Sequence, residues 1–146
     1  MHSDESDERP RLVFLCIGNA CRSPMGEGWL RHLAPDRFRA ASGGIRPIGV
    51  QPLTLEVMRE VGVSMQGIES TDVRRELSPA PDVLVALSRQ ALAAAPRIPA
   101  STRVLRWFVP DPYMVRGSTA DVLRAYRSAR DEIRERLEEW LAAEGG

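Results

Sequence analysis

A thiol and a guanidinium stand close together near the start of this chain. The stretch from Leu12 to Met25 reads LVFLCIGNACRSPM. Apolar residues end in Cys16, a short polar loop follows, and Arg22-Ser23 lead into Pro24. A thiol acts as a nucleophile in its ionised form, and free cysteine has a pKa of about 8.5. Three neighbours favour the thiolate at Cys16. A helix starting after the loop presents unpaired N–H groups and the positive end of its dipole. Arg22 supplies a permanent cation, and the Ser23 hydroxyl can donate to sulfur. The same parts suit a tetrahedral dianion. Successive loop N–H groups form a nest for its oxygens, and Arg22 can hold two of them. Gly18 lets the backbone approach closely, and Asn19 tolerates a left-handed conformation while its amide braces the loop. Ile17 and Ala20 are the loop side chains expected at the mouth.

The elements that position this loop alternate between strand and helix. Arg11 to Cys16 reads as a buried strand, and Ser23 as the cap of a helix that begins at Pro24 and runs to about Leu33. Gly26 and Gly28 weaken that helix by about 1 kcal/mol each, which points to close packing. A second strand covers Phe38 to Ser42, closed by Gly43-Gly44. Pro52 opens a helix that ends at Gly62. VLVAL, Val83 to Leu87, suits a strand covered on both faces. Arg89 to Ala95 reads as a short helix and Thr102 to Leu105 as a fourth strand. A final helix spans Asp121 to Ala142, with Leu123, Tyr126, Ile133, Leu137, Trp140 and Leu141 as its apolar stripe. This order predicts a single α/β domain: a four-stranded parallel sheet with helices on both faces. Ligands bind such sheets at the carboxyl ends of the strands, where Cys16 sits.

At 146 residues the chain suits one core. Residues 1–9, MHSDESDER, read as a disordered tail, and 10–146 as the catalytic domain. Twenty basic residues, all of them Arg, balance twenty acidic ones. That balance gives no pull toward nucleic acid or an anionic membrane. No apolar run approaches the roughly 20 residues that span a bilayer, so a cytoplasmic location is expected. Cys16 and Cys21 alone cannot supply the four ligands of a structural zinc site, and no metal or organic cofactor is expected. A permanent disulfide does not fit a reducing compartment. Cys21 has two readings: it packs behind the loop, or it forms a reversible disulfide that shields Cys16.

CIGNACRSPM, residues 16 to 25, resembles the CxGNxCRSPM signature of the low-molecular-weight protein tyrosine phosphatase superfamily, which includes related arsenate reductases. Ser42-Gly43-Gly44 is similar to the family's SAG, and Asp111-Pro112-Tyr113 to its general-acid loop. The segments Gly44 to Val63 and Tyr126 to Leu141 look closer to the reductase branch. The resemblance implies the phosphotyrosine phosphatase I-like fold, Cys16 as nucleophile, Arg22 as oxyanion holder and Asp111 as general acid. It implies that Ile17, Gly18, Asn19, Ala20, Cys21 and Ser23 surround the substrate, with Tyr113 as an aromatic wall or a cover. Ser42 would help Asn19 shape the loop. Trp29, Trp107 and Trp140 read as core residues, Trp107 being the one of the three best placed to brace the acid loop.

Two features depart from the pattern. Ser88 and Ala95 stand where thioredoxin-coupled reductases carry two further cysteines. Near Ile68 the family often has a histidine that supports the loop. The expected activity is phosphomonoester hydrolysis through a cysteinyl-phosphate, with phosphotyrosine-like esters as the model substrate. The alternatives are arsenate reduction with an external thiol or glutaredoxin-like partner, a phosphoarginine substrate, and a non-catalytic oxyanion or phosphoprotein binder. The expected partners are therefore a phosphorylated protein or a free phosphate or arsenate ion, with a thiol reductant in the second case.

Overall fold

In the computed structural model, which describes residues 7–145, four strands form one parallel sheet. They are β1 (Arg11–Cys16), β2 (Arg39–Gly44), β3 (Val83–Ala86) and β4 (Arg103–Arg106), in the spatial order β2-β1-β3-β4. The chain starts in the middle, steps to one edge, then returns past β1 to build the other half. Its direction of winding therefore reverses between β1 and β3, and a crevice opens at their carboxyl ends. Cys16 ends β1 there. Leu87, just beyond β3, donates its N–H to Leu15 O on the other side of the crevice, at 2.9 Å.

β1 is apolar on both faces because both are covered. Leu12 and Phe14 face one hydrophobic cluster, and Val13 and Leu15 face the other. All four are fully buried, and each such side chain contributes about 1.5–3 kcal/mol of transfer free energy. The first face is covered by α1 (Arg22–Leu33), α2 (Pro52–Glu60) and the long α5 (Thr119–Gly145). Trp29, Met58, Ile133 and Leu137 fill that layer. The second face carries α3 (Val73–Glu76) and α4 (Arg89–Ala94), through Val73 and Ala91. A 3₁₀ turn, Pro112–Met114, precedes α5. Arg130 joins two helices of the first layer: it donates to Val57 O at 3.0 Å and pairs with Glu60 at 2.8 Å.

The architecture is the one read from the sequence, with three local corrections. First, α1 begins at Arg22, not Pro24, and Ser23 does not cap it: Cys21 is the cap residue and no side chain bonds the first-turn amides. The Ser23 hydroxyl is engaged elsewhere, and Pro24 is accommodated because first-turn N–H groups have no intrahelical partner. Second, Gly43 and Gly44 do not close β2 but belong to it, paired with Leu15 and Cys16. A Cβ on Gly44 would sit 2.8 Å from both Asn19 N and Ile17 O, so the missing side chain is what lets the loop lie on the sheet edge. Third, α3 lies in a stretch where no helix was expected.

The close packing expected at Gly26 is seen, since a Cβ there would enter the Phe14 ring. The expected tail falls partly on residues 1–6, outside the described residues. Within its remainder, Arg9 donates to Pro35 O at 2.6 Å and accepts from Arg39 Nε at 2.9 Å. Among the described residues no helix is long and apolar enough to cross a membrane.

Candidate active site

Residues 17–21 leave β1 as a cup whose carbonyls are fastened outward. Ile17 O accepts from Arg46 N at 2.8 Å, Gly18 O from Ile48 N at 3.0 Å, and Ala20 O from Gln51 N at 3.0 Å. Ser70 Oγ adds a bond to Gly18 O at 3.1 Å and Thr54 Oγ1 one to Ala20 O at 2.8 Å. A trans peptide is planar, with its N–H opposed to its carbonyl. Pulling these carbonyls out therefore turns the N–H groups of Gly18, Asn19 and Cys21 toward the hollow of the cup. Asn19 makes the bend possible, with φ at 46°.

The Asn19 side chain is the hub of the cup. Thr71 N donates to its Oδ1 at 2.7 Å, which fixes the orientation of the amide. Its Nδ2 then donates to Ser23 Oγ at 2.8 Å and to Ser42 Oγ at 3.0 Å. Ser23 Oγ also lies 2.8 Å from Cys16 Sγ. Since Ser23 already accepts from Asn19, its own hydrogen is available to the sulfur. Cys16 lines the cavity above the cup, although it is 2% exposed.

Arg22 starts α1 with its side chain folded back over the cup. Nη1 donates to Val109 O at 2.8 Å and Leu87 O at 3.3 Å. Nη2 pairs with Asp111 Oδ2 at 3.3 Å. Nε is buried with no hydrogen-bond partner. A stranded buried donor costs about 1–3 kcal/mol, and a bound oxyanion would supply its acceptor. Asp111 is oriented by Tyr113 N, which donates to Oδ1 at 3.0 Å. Thus the expected nucleophile, cation and acid meet at one cavity of about 220 Å³, with Ile17, Gly18, Ala20, Cys21 and Tyr113 also in its lining. Asn19 and Ser23 stand behind it.

Cys21 turns its thiol inward and donates to Tyr126 Oη at 3.4 Å. Burial pushes this thiol up to about 11, against smaller opposing hydrogen bonds from Tyr126 and Thr54. Both cysteines are free thiols. Ser88 caps α4, accepting from Ala91 N at 3.0 Å, and Ala95 ends that helix. Trp29 lies in the core, with Trp107 and Trp140 packed against it, as read from the sequence. The Trp107 ring packs on Trp140 at 6.5 Å, and Asp111 is held by Arg22 and the amide of Tyr113.

Several contributors lie outside the residues singled out from the sequence. Ser70 and Thr71 support the loop from the segment after Ile68. Glu27 accepts from Ser42 Oγ at 2.6 Å. Arg46, Ile48 and Met114 complete the cavity lining. Glu27 comes from α1 and Met114 from the 3₁₀ turn; Arg46, Ile48, Ser70 and Thr71 carry no short-range pattern, and the segments after β2 bring them to the cup. Among the described residues no group of three or more His, Cys, Asp or Glu is placed to hold a metal ion.

A parallel α/β sheet that ends its central strand in a thiol, inside a cup closed by a Ser and an Arg, defines the class of cysteine-loop oxyanion enzymes. Within that class, the chain belongs to the low molecular weight phosphotyrosine protein phosphatase family, whose model matches residues 11–144. It is 32% identical over 126 residues to an arsenate reductase of Halalkalibacterium halodurans, covering 86% of this chain and 91% of that one. It is 31% identical over 133 residues to the arsenate reductase of Bacillus subtilis, covering 91% and 96%. The solved structure of Vibrio vulnificus Wzb in complex with benzylphosphonate is similar with a TM-score of 0.76 at 25% identity, covering 92% of this chain and 99% of that one.

Proposed function

We propose that the protein hydrolyses aryl phosphomonoesters through a cysteinyl-phosphate intermediate. One observation carries this reading over reduction of a free oxyanion. Among the described residues, the exposed large apolar side chains are Ile48, Leu55, Tyr113 and Met114, and all but Leu55 ring the cavity above Cys16. A free tetrahedral anion makes no use of such a rim. An aromatic leaving group does, because ring burial on apolar walls contributes binding energy. Wzb, bound to benzylphosphonate, accepts a ring joined to a tetrahedral head.

In the first step Cys16 sulfur attacks phosphorus in line with the ester oxygen, and the P–O bond breaks. The loop N–H groups and Arg22 hold the equatorial oxygens, where negative charge gathers. The incoming dianion takes over the guanidinium edge that Asp111 occupies in the free protein. Asp111 then faces the leaving oxygen and gives it a proton. In the second step ionised Asp111 takes a proton from water, whose oxygen attacks phosphorus. The S–P bond breaks, and the sulfur leaves as a thiolate held by the Ser23 hydroxyl.

The second reading, arsenate reduction, is favoured by the names of the relatives at 31–32% identity. With Ser88 and Ala95 in place of further thiols, its electrons would come from an external thiol. Turnover of an aryl phosphate, and of arsenate with low-molecular-weight thiols, distinguishes the two. The expected result is ester hydrolysis that Cys16→Ser abolishes and Asp111→Asn slows by about 10²–10⁴-fold. Arsenate turnover without ester hydrolysis selects the second reading. Phosphate binding with neither activity would leave only an oxyanion binder.

A further inference from the structure

Glu27 is the buried carboxylate of the described residues, 5% exposed on α1, and no step above uses it. It sits at the end of a continuous set of hydrogen bonds that begins at the nucleophile: Cys16 Sγ, Ser23 Oγ, Asn19 Nδ2, Ser42 Oγ, Glu27 Oε1. The direction of each bond can be worked out. An ionised carboxylate only accepts, so Ser42 gives its single proton to Glu27. Ser42 Oγ is then left as an acceptor, which suits one N–H of Asn19. The other N–H of Asn19 goes to Ser23, whose proton goes to the sulfur.

We propose that Glu27 is a positioning residue of this site: by taking the Ser42 proton, its carboxylate keeps both hydroxyls as acceptors toward Asn19 and holds the Ser23 hydrogen on Cys16 Sγ. Without that acceptor the Ser42 hydrogen is free to turn toward Asn19, where two donors would meet. The Asn19–Ser42 bond is then weakened, and with it the hold on Ser23, while Thr71 still fixes the other end of the amide. The inference rests on Cys16 being the reactive thiol.

The surroundings of Glu27 make this arrangement sensitive to pH. Burial raises its pKa; the Ser42 hydrogen bond and the charge of Arg31 oppose that shift, and Glu76 adds to it. Arg31 pairs with Oε2 from the same helix. Glu69, Arg75 and Glu76 face Glu27 across a shallow cleft behind β2. Protonating Glu27 ends its role as obligatory acceptor, so Cys16 reactivity should gain a rise with pH through the Glu27 titration.

The test is the rate of Cys16 alkylation by iodoacetate between pH 4.5 and 8, with inorganic phosphate as protectant. This readout needs neither the phosphatase nor the reductase reading. Glu27→Leu should slow alkylation at pH 6 by about tenfold with a cooperative thermal melt retained. In a Ser42→Ala background the same change should add less than twofold, because the two groups act as one unit. Glu27→Gln/Arg31→Ala leaves an amide oxygen free to accept from Ser42. It should return the rate to within about threefold of the native one while losing one inflection of the pH profile. A folded Glu27→Leu protein with the native rate, or an undiminished second loss in the Ser42→Ala background, overturns the inference. If Glu27→Leu does not fold, a native pH profile in the double variant overturns it. Native Cys16 that resists alkylation, or that phosphate does not protect, instead overturns the proposed function.

Discussion

Replacing Asn19 tests the cup as a piece of architecture. The residue is fully buried, its backbone is left-handed at φ 46°, and its amide makes the three bonds to Thr71, Ser23 and Ser42. Alanine removes all three and strands the groups at their far ends. A hydrogen bond of this kind contributes about 1 kcal/mol, and a buried group left without a partner costs about 1–3 kcal/mol. Left-handed backbone adds about 1–2 kcal/mol for a residue with a plain Cβ. The three bonds and the backbone alone come to about 4 kcal/mol, so Asn19→Ala should destabilise by at least about that much, a large part of the roughly 5–15 kcal/mol typical of a domain. Asn19→Gly breaks the same bonds but accepts the backbone, so it should cost about 1 kcal/mol less. With a urea slope of about 2 kcal/mol per molar, the midpoint should fall by at least about 2 M for alanine and at least about 1.5 M for glycine. A loss under about 1 kcal/mol for alanine, or a glycine variant no more stable than the alanine one, would refute the reasoning.

Other measurements probe other parts of the fold. Cys21, with its thiol pushed up to about 11 by burial, should stay protonated at pH 7.5. Brief alkylation of the native protein should mark Cys16 alone in a peptide map. Glu60 is held down to about 2 from 4.5, chiefly by its hydrogen bond to Arg127 and then by Arg130. A depressed carboxylate stabilises the fold above its unfolded pKa, and that contribution fades as pH falls from 4.5 toward 2. Glu60→Gln should thus flatten the acid limb of a stability curve measured by urea unfolding. Gly26→Ala gains helix propensity worth about 1 kcal/mol but drives a methyl into the Phe14 ring. Overpacking of about 1–3 kcal/mol should win, lowering Tm by a few degrees in calorimetry; an unchanged or higher Tm would contradict the packing.

Most of the sheet and the chemical heart of the site are legible in the sequence, for identifiable reasons. β1 and β3 are continuous apolar runs, and Cys16, Arg22 and Ser23 lie within one short local motif. What escapes is whatever depends on distance along the chain. Ser70 and Thr71 are ordinary polar residues until β2 carries the following segment against Asn19. α3 has four residues, too few for a periodic signal. Ser23 reads both as a helix cap and as a donor to Cys16, and the folded cup decides for the second, with Asn19 as the other partner of its hydroxyl. Trp107 is near Asp111 in sequence, but its ring turns toward Trp140.

The rim of the cavity hangs from main-chain bonds. Ile48 is tied by its N–H to Gly18 O, and Met114 by its N–H to Asp111 O. Tyr113 is tied by its N–H to Asp111 Oδ1. Their side chains can be exchanged without untying any of these. On the proposed hydrolysis reading, leaving-group preference is thereby uncoupled from the reactive centre, and libraries randomised at 48, 113 and 114 should yield retargeted proteins that still carry an intact Cys16.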